Sequence, residues 1–320
     1  MEKIKKVLIT GISGFVGSHL AEYYLNNSDL EVYGLIRHRS SKELLKDIID
    51  KITFVEGDIN DTHSINEVIQ KVQPDYLHHL AAQSYVPSSW VRPGETFQTN
   101  SVGSLNILES IRHYSPHTVV HFCSTSEVYG NQTKLPIDEL NPTNPASPYA
   151  VSKLAMEYLA SQYHKSYEIK SVITRAFNHG GPRRGEVFIE SKIAKAVCLH
   201  KVGKLDKLEL GALDNKRDWT DVRDIVKAYF LSVKYCKHGE VYNISSGVTR
   251  TIRSIIDIMS KYLGVNGSFK VEQSSKFMRP SDISVLLGDS TKFRNITGWE
   301  PVISWEKTCE DLVDYWKERV

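Results

Sequence analysis

Cysteine is scarce in this chain. Its 320 residues contain four cysteines, Cys123, Cys198, Cys236 and Cys309, and none belongs to a CxxC pair. Such scattered cysteines argue against a disulfide framework and against a zinc site, and they favour a reducing compartment. We therefore expect a cytoplasmic protein without a bound metal.

Long hydrophobic runs are also missing. No apolar stretch approaches the roughly 20 residues that a membrane helix needs, and the start, MEKIKK, lacks the apolar region of a signal peptide. The net charge is only +2, which gives no reason to expect a nucleic-acid partner. These features predict a protein that binds neither membrane nor nucleic acid.

The remaining composition is that of an ordinary globular protein, with 41% apolar and 24% charged residues. The length allows two domains or one large one. No internal repeat or low-complexity tract interrupts the sequence.

The first strand and helix enclose a glycine-rich turn. Residues 7–10 (VLIT) read as a strand, and residues 18–26 read as a helix. A turn with three glycines at this junction suits a dinucleotide, because the backbone can approach the pyrophosphate and the helix N-terminus faces its charge. The glycine spacing is GxxGxxG instead of the GxGxxG of the general dinucleotide fingerprint. The alternative interpretation is a tight turn that binds no dinucleotide. We assign the following residues to cofactor binding: Gly11, Gly14, Phe15, Val16 and Gly17.

The second strand, residues 31–36, predicts which dinucleotide binds. NAD-binding folds commonly place an acid at its end to hold the ribose 2′-hydroxyl, whereas an arginine nearby suits the 2′-phosphate of NADP. Here the strand ends in RHRSS, and Arg37 stands where the acid would be. We favour NADP, with NAD as the alternative.

The next two strands supply further cofactor contacts. Residues 52–55 form strand three, after which Asp58 could hydrogen-bond the adenine amino group and Ile59 could pack on its face. Residues 76–79 form strand four, and the small residues that follow allow close approach: Leu80, Ala81 and Ala82. His78 and His79 read as strand residues without a catalytic role.

Residues 84–92 should form a loop that faces the substrate, with Ser84 as a contact. Asn100 should begin a helix over residues 101–113. An asparagine in this position either caps the helix or bridges the cofactor and the active site.

The stretch from residue 124 to residue 153 carries the chemistry. It follows a buried strand, residues 119–123, so Thr125, Ser126 and Glu127 should lie at the carboxyl end of the sheet. A helix then starts at a Ser-Pro pair, which places Tyr149 and Lys153 one turn apart on one face. A nearby cation lowers the pKa of a tyrosine, which is ordinarily about 10. A surface Tyr and Lys pair is the alternative, since YxxxK alone is a weak pattern.

The second half continues the sheet and then departs from it. Strands are expected at residues 170–175, 208–211 and 241–244, and helices at 190–201 and 225–236, followed by two more helices. We expect a doubly wound (Rossmann) α/β parallel sheet with a smaller C-terminal α/β substrate domain. The dinucleotide domain should cover residues 1–178, with 220–245 returning to it, and residues 179–320 should mainly bind substrate. Several cations suit a diphosphate: Arg183, Arg184, Lys192, Arg217 and Arg279.

Motifs spread along the chain resemble those of the extended short-chain dehydrogenase/reductases that act on nucleotide sugars, the NAD(P)-dependent epimerase/dehydratase family. Within them, the sequence is most similar to the GDP-mannose 4,6-dehydratase family. The segments that carry the likeness are STSE (124–127), YAVSK (149–153), FNH (177–179), PRRG (182–185), KRDW (216–219), RPSD (279–282) and LGD (287–289).

The resemblance implies roles in a 4,6-dehydration of a GDP-hexose or GDP-heptose. Tyr149 would be the base for the C4 hydroxyl, Lys153 would hold the cofactor ribose, and Glu127 would take the C5 proton. Thr125 and Ser126 would orient the hydroxyl. The diphosphate and nucleoside would be held by Asn178, Lys192, Arg217 and Arg279, with Asp282 on the ribose.

The chain departs from the family in three places. Asp282 stands where those dehydratases usually carry Glu, Gly180-Gly181 replaces their Glu-Ser, and the segment after Ser41 is shorter than the loop used in tetramer contacts. We therefore expect a homodimer in preference to a tetramer. A GDP-4-keto-6-deoxy-sugar reductase or a nucleotide-sugar C4 epimerase is the alternative function.

Overall fold

A seven-stranded parallel sheet forms the centre of the computed structural model, which describes residues 5–277 and 283–320. The strands of the described residues are β1 (Lys6–Thr10), β2 (Glu31–Ile36), β3 (Thr53–Glu56), β4 (Tyr76–His79), β5 (Val119–Thr125), β6 (Lys170–Ala176), β7 (Asn178–Gly180), β8 (Lys207–Leu210), β9 (Lys216–Asp221), β10 (Val241–Ile244), β11 (Thr249–Thr251), β12 (Lys270–Gln273) and β13 (Val285–Leu286).

The helices alternate with these strands in the first half. They are α1 (Phe15–Asn27), α2 (Thr62–Val72), α3 (Val86–Val91), α4 (Pro93–Phe97), α5 (Gly103–Tyr114), α6 (Pro148–Tyr167), α7 (Ile189–Lys201), α8 (Val222–Tyr235), α9 (Ile252–Tyr262), α10 (Thr291–Thr297) and α11 (Trp305–Lys317). Within the described residues, none of the helices has the length and apolar character that a bilayer crossing requires.

The strand order of the main sheet is β3-β2-β1-β4-β5-β6-β10. Strand β1 has β2 on one side and β4 on the other, so the order of the strands reverses beside it. Ligands of open α/β sheets bind at such a switch point, outside the carboxyl ends of the strands. The doubly wound parallel sheet predicted from the sequence is confirmed.

Both faces of the sheet are covered by helices that bury apolar side chains. One cluster joins α1 and α8 to the sheet around Tyr24 and Tyr229, and the other joins α2, α5 and α6 around Phe122. Phe293 and Trp299, from the C-terminal part, pack into the first cluster. The proposed division at residue 178 stays a prediction.

A second layer of strands follows the main sheet. Strand β9 pairs with β7, β11 and β13, and β12 pairs with β8. Their hydrophobic cluster includes Trp219 from β9 and Trp305 from α11, whose rings stack 4.8 Å apart. This layer lies next to the carboxyl end of β6 because β7 begins two residues after it.

The structure differs from the predicted elements in the following places. Residues 84–92 are not a loop, since helix α3 occupies Val86–Val91 with a proline in its first turn. Strand β5 extends to Thr125 because Ser124 and Thr125 continue the pairing with β6. The C-terminal part contains a third helix, α10, in addition to the two expected.

Asn100 does not begin a helix. It lies inside a π-helical turn, Gln98–Val102, that joins α4 to α5 without a break. The turn exposes no helix N-terminus at this position, so the capping interpretation was wrong.

Buried histidines link three strands of the main sheet. The His78 ring contacts Tyr24 Oη at 2.7 Å and His121 Nδ1 at 3.0 Å, and His79 Nδ1 lies 2.9 Å from Thr10 Oγ1. Burial lowers the pKa of His78 to about 3, and burial together with Lys153 lowers that of His79 to about 3. Both rings are therefore neutral in the folded protein.

These histidines should make the fold sensitive to acid. Between about pH 6.5 and pH 3 these histidines are protonated in the unfolded chain but stay neutral in the folded protein. The free energy of unfolding therefore falls as the pH falls. Each such ring should cost about 1.4 kcal/mol of unfolding free energy at about pH 5.5. Urea titrations at neutral and mildly acidic pH measure this decrease in the free energy of unfolding. His78→Gln should weaken the pH dependence, whereas His38→Gln, at an exposed site, should not.

Candidate active site

A large cavity lies at the carboxyl ends of the main strands. Its volume is about 1280 Å³, which exceeds the few hundred to 1,000 Å³ of an ordinary small-molecule site. The residues that line it include the glycine turn and Thr125, Glu127 and Tyr149. The cavity has room for a dinucleotide and a second ligand together.

The glycine turn has the conformation that only glycine allows. Gly11 has φ +71°, and a Cβ there would lie 2.8 Å from the Ala81 backbone nitrogen. A Cβ on Gly17 would lie 2.2 Å from the Gly11 carbonyl oxygen, so this glycine lets α1 pack on the turn. The turn and the start of α1 therefore fit a dinucleotide phosphate.

The other predicted cofactor contacts line the same cavity. Arg37 and Ser40 lie at the end of β2, and the Arg37 amide donates to Ser40 Oγ at 3.1 Å. The remaining predicted cofactor residues in the lining are Gly14, Phe15, Val16, Asp58, Ile59, Leu80, Ala81 and Ala82.

Local sequence explains how the central residues are presented. Thr125 ends β5, and its hydroxyl accepts from the Glu127 amide at 3.2 Å, which opens the 3₁₀ turn Ser126–Tyr129. Ser147 caps α6 by accepting from the Ala150 amide at 3.1 Å. The predicted Ser-Pro helix start is confirmed. Together they bring Thr125, Ser126, Glu127, Tyr149 and Lys153 to one cavity wall.

Tyr149 is buried, with 8% of its surface exposed. Its pKa is raised, first by burial and then by the charges of Cys123 and Glu127, whereas a Thr125 hydrogen bond and the Arg184 charge act to lower it. Lys153 donates to the Cys123 carbonyl at 2.8 Å, and burial lowers its own pKa. The expected action of Lys153 on the Tyr149 phenol stays a prediction.

A buried ion pair fixes α6 against β5. Arg175 of β6 donates to Glu157 of α6 at 2.6 Å, and Glu157 also accepts from Ser124, the residue before Thr125. Because Glu157 lies one turn beyond Lys153, this contact holds the helix that carries Tyr149 beside the strand that carries Thr125.

Two predicted contacts do not line the cavity. Asn100 is buried, and its amide hydrogen-bonds the Gln83 backbone and Ser152 Oγ, so it positions α6 behind the site. Arg217 is buried in β9 and donates to the Lys216 carbonyl. Ser84, Asn178 and Lys192 do line the cavity, while Arg279 and Asp282 lie outside the described residues.

Several lining residues were not predicted from the sequence. Glu190 and Phe188 flank Arg184, and Tyr85 meets Phe188 edge-on with the ring centres 5.8 Å apart. Phe188 and Glu190 border the predicted helix 190–201, and nothing in their spacing indicates that they turn toward the cavity.

Comparison with known proteins identifies the family. The sequence model described as GDP-mannose 4,6 dehydratase matches residues 8–312. The chain belongs to the GDP-mannose 4,6-dehydratase family.

A relative in this GDP-mannose 4,6-dehydratase family, GDP-mannose 4,6 dehydratase 2 of Arabidopsis thaliana, is 34% identical over 98% of this chain and 87% of its own length. Among solved structures, RMD from Pseudomonas aeruginosa complexed with NADPH is 29% identical, with a TM-score of 0.84 over 99% of this chain and 100% of that one. UDP-glucose 4-epimerase of Thermotoga maritima with UDP-glucose is 26% identical, with a TM-score of 0.88 over 98% and 99%. The fold is thus shared with epimerases, and the side chains must distinguish the reactions.

Proposed function

We propose that this chain is a nucleotide-sugar 4,6-dehydratase that acts on a GDP-mannose-type sugar, either a hexose or a heptose, with NADP. The observation that carries the proposal is the Glu127 carboxylate beside Thr125 and Tyr149 in one cavity. Oxidation at C4 needs only a base for the hydroxyl. Loss of water needs a further group for the C5 proton.

The cofactor proposal is supported by the end of β2. Arg37 and Ser40 line the cavity where an acid would hold a free 2′-hydroxyl. A guanidinium there suits a 2′-phosphate, so we propose NADP over NAD. When bound, it supplies a reversible acceptor for the hydride that leaves C4 and later returns to C6.

The chain's own residues would move the protons. Tyr149 takes the proton of the C4 hydroxyl, which Thr125 and Ser126 orient. The resulting ketone acidifies the C5 proton, which Glu127 removes and passes to the C6 oxygen as water leaves. When the hydride returns to C6, C5 must gain a proton. The Tyr149 phenol can donate the proton that it took from the C4 hydroxyl. Atoms and charges balance, and no net oxidant is consumed.

Substrate contacts follow from the rest of the lining. Asn178, Lys192 and Ser84 line the same cavity as the catalytic residues, and we assign them to the second ligand. We propose that residues 1–178, with 220–245, hold the cofactor, and that residues 179–320 mainly hold the GDP-sugar.

We also propose a cytoplasmic homodimer. The four cysteines are free, and the segment after Ser41 contains two short 3₁₀ turns, Glu43–Leu45 and Ile49–Lys51, instead of a long extended loop. Light scattering of the purified protein tests the oligomeric state.

The test of the function is an assay on GDP-mannose and GDP-heptose without added NADPH. We expect a 4-keto-6-deoxy product that absorbs in alkali, and mass spectrometry of the denatured protein should detect released NADP. A product that has not lost water would indicate an epimerase, and stoichiometric NADPH consumption would indicate a reductase. Either result would contradict the proposal.

A further inference from the structure

The loop that joins β7 to α7 packs along one face of α1, the helix that follows the glycine turn. The loop segment in contact with the helix is residues 182–184. The helix residues that it meets are spaced by four and three positions, which places them on one face: Phe15, His19 and Glu22. The loop is thus tied to the helix that begins at the predicted pyrophosphate site.

Two of these contacts are polar. His19 Nε2 donates to the Pro182 carbonyl at 2.9 Å, and this nitrogen carries the proton because a carbonyl can only accept. Arg183 Nη2 lies 2.8 Å from Glu22 Oε2. His19 is buried and the Arg183 side chain is 21% exposed. Water therefore competes only weakly for the hydrogen bond and screens the ion pair in part.

Arg184 connects the same loop to both α1 and α7. Its guanidinium lies 4.8 Å from the centre of the Phe15 ring and 3.6 Å from that of Phe188. Its Nε lies 3.1 Å from Glu190 Oε1, and its carbonyl accepts from Ser191 Oγ at 2.7 Å. The loop is therefore fixed to the helix at the glycine turn on one side and to α7 on the other.

The loop has a backbone conformation that its own sequence disfavours. Residues 181–184 form a tight turn, in which the Arg184 amide donates to the Gly181 carbonyl at 3.3 Å and Pro182 occupies the second position. Arg183, in the third position, has φ +72°, a left-handed conformation for which glycine is preferred there. Because strained backbone persists only where surrounding contacts hold it, the ion pair with Glu22 helps to maintain this turn.

The loop and the glycine turn line the same cavity. Arg183, Arg184 and Gly185 belong to its lining together with Gly14 and Phe15. The N-terminus of α1 faces the pyrophosphate of a dinucleotide that binds at the glycine turn. Such a dinucleotide therefore lies beside the loop, and movement of the loop away from α1 would widen the path to it.

We propose that residues 181–185 form a latch on α1 that controls the binding and release of the dinucleotide, so that the enzyme retains its cofactor between turnovers. The contacts of the latch join two parts of the protein. Breaking them should make the loop open more often, which speeds binding and release by similar factors. The use of retention rests on the proposed function, a reaction without net oxidation, whereas the latch itself requires only a dinucleotide at the glycine turn.

Stopped-flow fluorescence of NADPH, without any sugar, tests the latch. The binding rate constant is measured on mixing, and the release rate constant is measured by a chase with excess NADP. His19→Leu removes the donor to the Pro182 carbonyl, and Glu22→Gln removes the charge that pairs with Arg183 while the turn sequence stays intact. We expect each variant to raise both rate constants by about threefold to tenfold, with a change of less than about twofold in the dissociation constant.

Two further variants serve as controls. His19→Gln keeps a side-chain N–H donor in place of the imidazole Nε2 and should have the rate constants of the parent protein. Arg253→Met removes an arginine–aspartate pair with Asp214, and neither residue belongs to the described cavity lining. This variant should also bind and release NADPH as the parent protein does.

The two rate constants together decide the outcome. Faster release without faster binding in His19→Leu and Glu22→Gln would mean that these residues support the dinucleotide site itself, which overturns the latch. Parental rate constants in both variants overturn it as well, and so does a protein that binds neither NADPH nor NADH. If NADH is the dinucleotide that binds, the same ratios are expected with it. An inactive enzyme on every GDP-sugar would contradict the proposed function alone, because this measurement contains no sugar.

Discussion

Tyr149→Phe is expected to reduce dehydratase turnover by about 10³-fold or more while leaving the fold intact. The substitution removes only the phenolic oxygen, and the ring keeps its place on α6. Without that oxygen, the base proposed for the C4 hydroxyl proton is missing. The first step of the reaction should therefore fail, and the later steps should have no ketone on which to act.

The 4-keto sugar can be detected by chemical reduction with a deuterium label. Borodeuteride added to a stopped reaction should label C4 in the parent protein and leave it unlabelled in Tyr149→Phe. Tyr158→Phe is the matched control, because this tyrosine lies on the same helix with 65% of its surface exposed. Normal turnover in Tyr149→Phe would remove the tyrosine from the mechanism.

Much of the site could be predicted because its signals are local. The glycine turn combines a strand, three glycines and a helix within a dozen residues, and Gly11 and Gly17 have the close backbone contacts that this pattern implies. Likewise, the Ser-Pro start of α6 sets the face on which Tyr149 and Lys153 lie. Such rules depend on neighbouring residues alone.

The parts that could not be predicted depend on contacts between distant segments. Lys153 is bound by the Cys123 carbonyl, thirty residues away, and Asn100 by Ser152, fifty-two residues away. Sequence spacing contains no information on either contact. The raised pKa of Tyr149 follows from burial, which is a property of the assembled cavity and not of the YxxxK pattern. The helix at Val86–Val91 was missed because Ser and Pro are typical of loops as well as of first helical turns.

Glu127→Gln should separate oxidation from dehydration. Glutamine has nearly the shape of glutamate but cannot accept the C5 proton, so loss of water should fall by about 10² to 10⁴-fold. The Glu127 amide would still donate to Thr125 Oγ1, since that contact uses the backbone. Thr125 and Tyr149 should therefore keep their arrangement, and the C4 hydroxyl should still be oxidised.

Two measurements on the sugar distinguish this outcome from a general loss of activity. In deuterium oxide, the variant should exchange C5 hydrogen far more slowly than the parent protein, while borodeuteride should still label C4. Glu95→Gln, which changes an exposed carboxylate at the cavity rim, should leave both signals unchanged. If Glu127→Gln exchanged the C5 hydrogen as fast as the parent protein, another base would remove that proton. If the variant lost both C5 exchange and C4 labelling, Glu127 would act before the ketone forms. Only slow exchange with retained C4 labelling places the carboxylate at the dehydration step, which is the step that separates a dehydratase from an epimerase of the same fold.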